Sequence, residues 1–380
     1  MIATVRSTVE LLRTEALGEL LRSPGPCVTM LLPPYRPGDG TSAATLMKSN
    51  IQAAMQQLAE MGFPRTASTN LLEPLENLSL AAGSHWSRAI FCSPTVLQQF
   101  FSTQPLTPAL SVGGCFAIKT LLVELDRPSV FYVLSISRSG VALLRCAGLK
   151  AEPAMLPAGV PVTLAETMAL EPPDHTLENR SSVGSSTGTM RSMRFGTGTG
   201  REREHAHLAD FYKLVDRGIQ PLLAPHQIPL VLAGVDEDTA LYRASSSYAQ
   251  LLREPISGSF DLEGDQEEIL RHAYGILRQC TLRRHAAALK AAKERITPAR
   301  FSQDLDVIAK AAFEGRVSEL YLNESTEKID LIERGAYRSW GKEDLLNLAA
   351  VQSMVHHGKA FALPTEMMPG RAIAAAVMRF

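Results

Sequence analysis

The chain has 380 residues, a formal net charge of −1 and 45% hydrophobic residues, so it exceeds what one core usually supports, and two or three domains are expected. Because Lys+Arg (38) and Asp+Glu (39) nearly balance, the overall charge excludes a generally basic nucleic-acid binder, and any RNA contact must depend on local patches. Five scattered cysteines without a CxxC pair exclude a disulfide framework and a zinc knuckle, and they are expected to be buried thiols.

Neither a secretory signal nor a membrane span is expected from the hydrophobic pattern. The first 21 residues are amphipathic and charged, and no run of 18 apolar residues occurs along the chain. We therefore expect a cytoplasmic protein that has no membrane partner.

Residues 1–106 are predicted to form an N-terminal α/β domain. Apolar spacing predicts helices at 5–21 and 44–61 and strands at 27–32 and 88–92. The proline-rich and polar segment that follows residue 101 suggests the boundary.

Residues 107–257 are predicted to form a middle domain with a mixed sheet. A strand at 116–125 is followed by a hairpin of strands at 130–137 and 140–146, whose turn reads Ser-Arg-Ser-Gly. A short apolar run at 229–234 predicts a buried strand.

Residues 258–380 are predicted to form a third, α/β domain. Helices are expected at 265–294, 299–314 and 342–356, and strands at 319–323 and 359–363. The fold class is therefore α/β with three domains.

A long loop at residues 175–203 is rich in glycine, serine, threonine and arginine, and we call it the arm. A helical pattern follows it directly, with Leu208, Phe211, Tyr212, Val215 and Ile219 on one face. Because arginine pairs bidentately with phosphate and glycine allows close backbone approach, such an arm suits a phosphate-rich partner. A disordered surface insertion is the alternative. The candidate RNA-binding cations of the arm are Arg180, Arg191, Arg194, Arg201 and Arg203.

Short motifs in and beside the arm do not predict a conventional enzyme site. Ser186 lies in a Gly-x-Ser-x-Gly sequence, but that motif needs a strand immediately before it and a helix immediately after it. The glycines at 196–200 lack the spacing of a dinucleotide or phosphate loop, so no cofactor is expected. His205 and His207 are two positions apart, whereas two metal ligands on one face of a helix are usually four positions apart. No metal is therefore expected.

Three segments carry a resemblance to a known family. Residues 188–195 read Gly-Thr-Met-Arg-Ser-Met-Arg-Phe, residues 230–234 read Leu-Val-Leu-Ala-Gly, and residues 305–322 combine a helix, a glycine and a strand. Together with the chain's ending, they resemble the archaeo-eukaryotic class 1 peptide chain release factors and Pelota, specifically the bacterial branch. The resemblance implies an N-terminal domain, an RNase H-like middle domain with a loop tip, and an L7Ae-like C-terminal domain.

The sequence departs from that family at the residues on which peptide release depends. The family's loop tip is Gly-Gly-Gln, and the corresponding residues here are Gly188, Thr189 and Met190. Methionine cannot orient water as glutamine does, so peptidyl-tRNA hydrolysis by the familiar route is doubtful. At the place of the codon-reading Asn-Ile-Lys-Ser turn, the chain keeps Lys48 and Ser49, and Lys48 is either an RNA contact or an ordinary exposed lysine.

The resemblance implies a protein that enters the ribosomal A site and acts in ribosome rescue, hibernation or non-standard peptide release. Its expected partners are the ribosome and ribosomal RNA, and a translational GTPase could deliver it; the protein itself is expected to be a monomer. One alternative is an RNA- or protein-interaction scaffold without catalysis. Another is a hydrolase with the arm as a lid, in which His205, His207 or Asp210 supplies acid and base chemistry.

Overall fold

Two compact units make up the chain in a computed structural model that describes residues 10–11, 14–23, 25–34, 43–78, 86–103, 105–170, 198–260, 264–325 and 345–380. The first combines residues 1–127 with 277–380, and we call it the N/C unit. The second, the middle unit, contains residues 128–276. The expected division into three domains, with boundaries at 106 and 257, stays a prediction.

The N-terminal part of the N/C unit is a five-stranded sheet in the order β1-β4-β3-β2-β5. Its strands are β1 (Glu10–Leu11), β2 (Cys27–Leu32), β3 (Ser87–Cys92), β4 (Leu97–Ser102) and β5 (Ala109–Gly113). Its helices are α1 (Thr14–Leu21), α2 (Ala43–Glu60) and α3 (Arg65–Glu76). Alternate residues of β2 face opposite sides, so Val28 and Met30 pack in the core that α2 and α3 cover, whereas Cys27 and Leu31 face another core.

The C-terminal part of the N/C unit is a four-stranded sheet in the order β11-β14-β12-β13. Its strands are β11 (Phe301–Ser302), β12 (Val317–Asn323), β13 (Lys359–Leu363) and β14 (Ala374–Met378), and its helices are α7 (Gln266–Arg295), α8 (Leu305–Phe313) and α9 (Leu345–Val355). Residues 266–276 of α7 count with the middle unit. Leu320 and Leu322 of β12 pack with α8 and α9, while Tyr321 between them packs with Leu282 and Leu289 of α7.

One hydrophobic core joins the N-terminal and C-terminal sheets of the N/C unit. Phe91 contacts Phe116 edge to face, with ring centroids 5.3 Å apart, and the same core includes Leu346 and Ala350 of α9. The side chain of Asn347 accepts hydrogen bonds from the backbone N–H of Ile118 (2.8 Å) and Lys119 (3.2 Å). The same amide donates to the carbonyl oxygen of Phe116 at 2.9 Å. Segments that are more than two hundred positions apart in the sequence therefore share one hydrophobic core.

The middle unit has a mixed five-stranded sheet in the order β10-β9-β6-β7-β8. Its strands are β6 (Val130–Ile136), β7 (Val141–Ala147), β8 (Lys150–Ala154), β9 (Leu230–Gly234) and β10 (Ile256–Ser257), and its helices are α4 (Leu164–Leu170), α5 (Gly198–Leu223) and α6 (Asp236–Ser245). Strands β6, β9 and β10 are parallel, and β6, β7 and β8 are antiparallel. The mixed α/β architecture with three sheets is confirmed.

Three predicted elements are wrong. The predicted helix at 5–21 contains instead strand β1 at Glu10–Leu11, which pairs with Phe100 and Phe101 of β4, and helix α1 begins only at Thr14. The predicted strand at 116–125 contains instead a 3₁₀ helix, Lys119–Glu124. The side-chain oxygen of Asn347 accepts a hydrogen bond from its first backbone N–H, that of Lys119. The predicted helix at 299–314 begins only at Leu305, because Asp304 caps it and accepts hydrogen bonds from Asp306 N and Val307 N at 2.9 and 3.1 Å. Helices α3, α4 and α6 and strands β4, β5, β8, β10 and β11 were not predicted.

All five cysteines are free thiols, as the absence of CxxC pairs predicts. Burial raises the pKa of Cys92 and of Cys146 to about 12, so neither thiol is a nucleophile near neutral pH. The expectation that all are buried is wrong for Cys280, which is exposed on α7, and for Cys115, which is half-buried. No helix in the part of the chain that the structure describes is long and apolar enough to cross a membrane.

Candidate functional site

The predicted site residues fall mostly outside the described residues. Arg180, Arg191, Arg194 and Ser186 lie there, as do the loop-tip residues Gly188, Thr189 and Met190. Arg201 and Arg203 lie in α5, with side chains outside the description, and Lys48 lies exposed on α2. The candidate site that can be described is therefore the framework from which the arm begins.

Helix α5, which follows the arm, is held on the middle sheet by the apolar face that the sequence predicts. Its residues Leu208, Phe211, Tyr212, Val215 and Ile219 are all buried in the core of that sheet. Gly218 lies where any Cβ would be 2.2 Å from Val160 Cγ2, so the glycine allows the segment before α4 to cross the helix closely. The helix is thereby fixed along most of its length.

A buried carboxylate ties α5 to α6 and to the segment after it. Asp216 is 1% exposed and accepts hydrogen bonds from Tyr242 Oη (3.3 Å), Ser246 Oγ (2.5 Å) and Ser247 N (2.9 Å). Gln220 Nε2 adds a fourth partner at 2.8 Å. Burial, together with the nearby Asp216 carboxylate, raises the pKa of Tyr242, so its hydroxyl stays a neutral donor. The network satisfies the buried charge and fixes α5 against α6.

A second polar junction lies where the parallel strands of the middle sheet end. Glu237, in the first turn of α6 after β9, accepts a hydrogen bond from His205 Nε2 of α5 at 3.0 Å. Its other oxygen accepts from Arg138 Nη2, in the turn between β6 and β7, at 2.8 Å. The Glu237 junction therefore joins the start of α5, the β6–β7 turn and α6 at the edge of the sheet where open α/β folds place their ligand sites.

The two neighbouring carboxylates of this junction differ in electrostatics. The hydrogen bond from His205, and then the charge of Arg138, lower the pKa of Glu237, which is exposed. Asp238 is 2% exposed, and burial raises its pKa, although Arg138 Nε at 4.0 Å acts in the opposite direction. Arg138 thus offsets part of the negative charge of an acidic first helical turn, Asp236-Glu237-Asp238.

Ser257 at the end of β10 donates to Asp236 Oδ1 at 2.7 Å, which brings the third parallel strand to the same edge. Gly234, the last residue of β9, has a backbone so close to β6 that a Cβ would lie 2.5 Å from the carbonyl oxygen of Ile136. A larger residue at 234 would push the junction away from the β6–β7 turn.

Two of the three acid and base groups of the hydrolase alternative, His205 and Asp210, already have partners on the surface. His205 is hydrogen-bonded to Glu237, and Asp210 accepts from Lys213 at 3.0 Å. Within the described residues, no group of three or more histidine, cysteine or carboxylate side chains is arranged to hold a metal ion. The hydrolase alternative therefore gains no support from these groups.

Sequence reasoning missed the residues that organise this edge, namely Arg138, Asp216 and Glu237. Each had a local signal: an arginine in a tight hairpin turn, an aspartate on the apolar face of α5, and three acids directly after a buried strand. None of these signals predicts which side chains these three residues contact, because the contacting side chains come together only through the order of the strands.

One family model is similar to the central part of the chain. Residues 130–316 match the bacterial archaeo-eukaryotic release factor family 3. No curated protein sequence matches the chain.

Several solved structures are similar to the chain. An archaeal translation termination factor, aRF1, is 12% identical and covers 97% of this chain and 99% of its own, with a TM-score of 0.25. Pelota from Archaeoglobus fulgidus is 12% identical over 80% of this chain and 83% of its own, with a TM-score of 0.35. Dom34 from S. cerevisiae, described as a translation termination-like factor, is 8% identical over 98% of this chain and 94% of its own, with a TM-score of 0.32. The family match over residues 130–316 confirms the resemblance of this chain to the bacterial branch of the archaeo-eukaryotic release factors.

Proposed function

We propose that the protein is a cytoplasmic, translation-related factor that binds the ribosome as a monomer and directs its arm at ribosomal RNA. The observation that carries the proposal is the family match, which spans the arm, all of α5 and the Glu237 junction. A basic arm needs a rigid base to place its cations, and α5 supplies one through its buried face and the Asp216 network.

The residues at the loop tip favour occupation of the ribosome over peptide release. Thr189 and Met190 replace the second Gly and the Gln of the release-factor tip, and a thioether neither donates a hydrogen bond nor orients water well. Loss of a positioned hydrogen-bonding group costs on the order of 10² or more in rate. Ribosome rescue or hibernation therefore fits these residues best, and non-standard release would need another group in the arm to position water.

The cations of the arm would contact phosphates of ribosomal RNA, and Lys48 of α2 is a further proposed contact. Each phosphate contact releases condensed counterions, so binding should weaken steeply as salt increases. The family match over residues 130–316 also makes a translational GTPase the partner to test for delivery.

Co-sedimentation with purified 70S ribosomes across a salt series tests the proposal. The test variant carries Arg191→Ala, Arg194→Ala and Arg201→Ala. A matched control removes the same charge from three exposed sites of the middle unit, Lys150→Ala, Lys213→Ala and Arg253→Ala.

We expect the wild type and the control to bind with the same salt dependence. The arm variant should bind more weakly, with a log–log salt slope smaller by about 2 to 3. No binding by the wild type at low salt would refute the proposal and favour a scaffold that does not act on the ribosome. Release of peptide from peptidyl-tRNA by the wild type would refute the role without hydrolysis.

A further inference from the structure

The tight turn between β6 and β7 contacts two other segments of the middle unit as well as its own strands. Residues 137–140, which we call the β6–β7 turn, read Ser-Arg-Ser-Gly. Ser137 N donates to the carbonyl oxygen of Gly140 at 2.9 Å, and Gly140 N donates to that of Ser137 at 3.2 Å. Ser137 Oγ donates to the Gly140 carbonyl as well, at 3.0 Å. The turn is therefore held in shape by its own hydrogen bonds.

One side of the turn holds the segment that leads into α4, the helix before the arm. Val141 N, directly after the turn, donates to the carbonyl oxygen of Val162 at 2.8 Å. Gly140 allows this contact, because a Cβ at that position would lie 2.6 Å from the same carbonyl oxygen. A larger residue at 140 would therefore push the backbone of Val162 away from the turn.

Helix α4 begins directly at this contact. Glu166 Oε2 accepts a hydrogen bond from Val162 N at 2.8 Å, and Glu166 N donates to Thr163 Oγ1 at 3.2 Å. A hydroxyl residue followed three positions later by a glutamate that bonds back to the backbone resembles a capping box, which fixes the first turn of a helix. The start of α4 is thus set at the place where Val162 lies on the β6–β7 turn.

The other side of the turn holds α5, the helix after the arm. Arg138 Nη2 and His205 Nε2 bind the two carboxylate oxygens of Glu237, at 2.8 and 3.0 Å. Further along α5, Tyr212 Oη donates to the carbonyl oxygen of Ser137 at 3.5 Å. The two helices on either side of the arm are thus both tied to the same turn.

Neither turn geometry nor stability accounts for these residues. The φ of Gly140 lies outside the left-handed region, so the turn itself does not require glycine there. The side chains of Arg138 and Glu237 are 59% and 56% exposed, and an ion pair so exposed to solvent contributes little to stability. Their common property is position, because each lies where a helix beside the arm meets the turn.

We propose that the β6–β7 turn is a shared anchor for both ends of the arm, with Gly140 and Arg138 as its positioning residues. Because both flanking helices are fixed at one rigid turn, the ends of the arm are ordered before binding, and less conformational entropy is lost when a partner orders the rest. The identification of that partner as the ribosome rests on the proposed function. The coupling of the two helices through the turn does not.

Hydrogen–deuterium exchange of the whole chain tests the coupling directly, with one variant for each side of the turn. Gly140→Ala displaces Val162 without changing any charge. Arg138→Gln removes the cation that Glu237 binds. Circular dichroism with thermal unfolding checks that each variant folds.

Each variant has a matched control in the middle unit. Gly275→Ala is the control for the glycine, because a Cβ at 275 would meet nothing within 4 Å. Arg145→Gln is the control for the arginine and lies at an exposed position of β7.

We expect each of the two variants to speed exchange in both flanking helices, at residues 164–167 of α4 and 205–208 of α5. The increase should be about fivefold, the effect of losing roughly one hydrogen bond. Both controls should exchange as the wild type does. Faster exchange only on the side that each variant disturbs would indicate two independent anchors and overturn the inference. Wild-type exchange on both sides would overturn it as well.

Ribosome binding tests whether the shared anchor positions the arm. Gly140→Ala should raise the Kd for 70S ribosomes by about fivefold or more, because a smaller fraction of the protein then presents the arm correctly. The same variant should bind a short RNA duplex of random sequence with wild-type affinity, since a small ligand can follow the arm in any direction. Arg138→Lys, which keeps a cation for Glu237, should bind ribosomes more tightly than Arg138→Gln.

The two experiments separate failure of the inference from failure of the proposed function. Ribosome affinity unchanged by Gly140→Ala would overturn the positioning role and leave the proposed function intact. Equal loss of ribosome and duplex binding would also overturn it, since the variant would then damage the arm rather than its direction. If the wild type does not bind ribosomes, the proposed function is wrong, and the exchange experiment alone decides whether the two helices share an anchor.

Discussion

The N/C unit and the middle unit each use one buried polar side chain to hold a helix in place, but the two side chains act over different distances along the chain. Asp216 accepts from Tyr242, Ser246 and Ser247, which are 26 to 31 positions away within the middle unit. Asn347 bonds residues 115–119, which are 228 to 232 positions away, across the joint between the N-terminal and C-terminal sheets. A charge with several donors stabilises a local framework, and a neutral amide with matched donors and acceptors joins distant segments.

This difference relates to what each unit is proposed to do. The middle unit must hold α5 firmly because the arm begins from it, and a carboxylate with charge-assisted hydrogen bonds gives strong directional restraint. The N/C unit must keep two sheets together, and a satisfied amide in an apolar core avoids the cost of burying a charge.

The largest effect is expected at the buried carboxylate. Asp216→Ala removes the acceptor of the buried Tyr242 hydroxyl, of the half-buried Ser246 hydroxyl and of Ser247 N–H, so the free energy of unfolding should fall by about 3 kcal/mol. Urea unfolding monitored by circular dichroism measures it. Asp210→Ala, at an exposed position of the same helix, is the control and should change stability little. Equal stability of the two variants would show that the network does not hold α5.

A smaller loss is expected at the joint between the two sheets. Asn347→Ala removes the acceptor for Ile118 N and Lys119 N and the donor to the Phe116 carbonyl, which should cost about 1 to 3 kcal/mol in the free energy of unfolding. The comparison variant is Gln352→Ala, a half-buried position of the same helix. If the joint depends on Asn347, limited proteolysis should cut the Asn347 variant faster near residues 115–125 than the Gln352 variant. The same cleavage rate in both would contradict this role.

Local patterns predicted the helices and strands well where burial alone decides them. The apolar face of α5 and the run Leu230–Gly234 lie where the sequence places them, because periodicity reports burial directly. The pattern failed at Lys119–Glu124, where Leu121 and Leu122 looked like part of a strand. The deciding contact there comes from Asn347, and no local window contains it.

The candidate site, too, has one part that the sequence could predict and one part that it could not. The arm and its arginines could be identified from composition, and the resemblance came from short motifs. Arg138, His205 and Glu237 could not be predicted as one junction, because a hairpin turn, a helix start and a second helix meet only once β6 and β9 lie side by side.

The smallest effect is expected at the Glu237 junction, and its size depends on pH. Because His205 and Arg138 lower the pKa of Glu237, the folded state favours the carboxylate more than the unfolded chain does. The stabilisation is complete above the ordinary glutamate pKa of about 4.3 and is lost as the pH falls through the lower folded-state value. Glu237→Gln should therefore lower the melting temperature slightly at pH 7, and this difference from the wild type should shrink or vanish near pH 3.

Glu152→Gln is the matched control for this last measurement, since Glu152 is an exposed glutamate of β8 in the same unit. It should show no comparable loss between the two pH values. The junction also predicts a functional consequence that stability alone would not show. If Glu237 positions the start of α5 for the arm, Glu237→Gln should weaken ribosome binding at pH 7 by more than Glu152→Gln does. If Glu237→Gln leaves ribosome binding unchanged, the junction is only a surface ion pair. Asp216 would then be the group that holds helix α5, from which the arm begins.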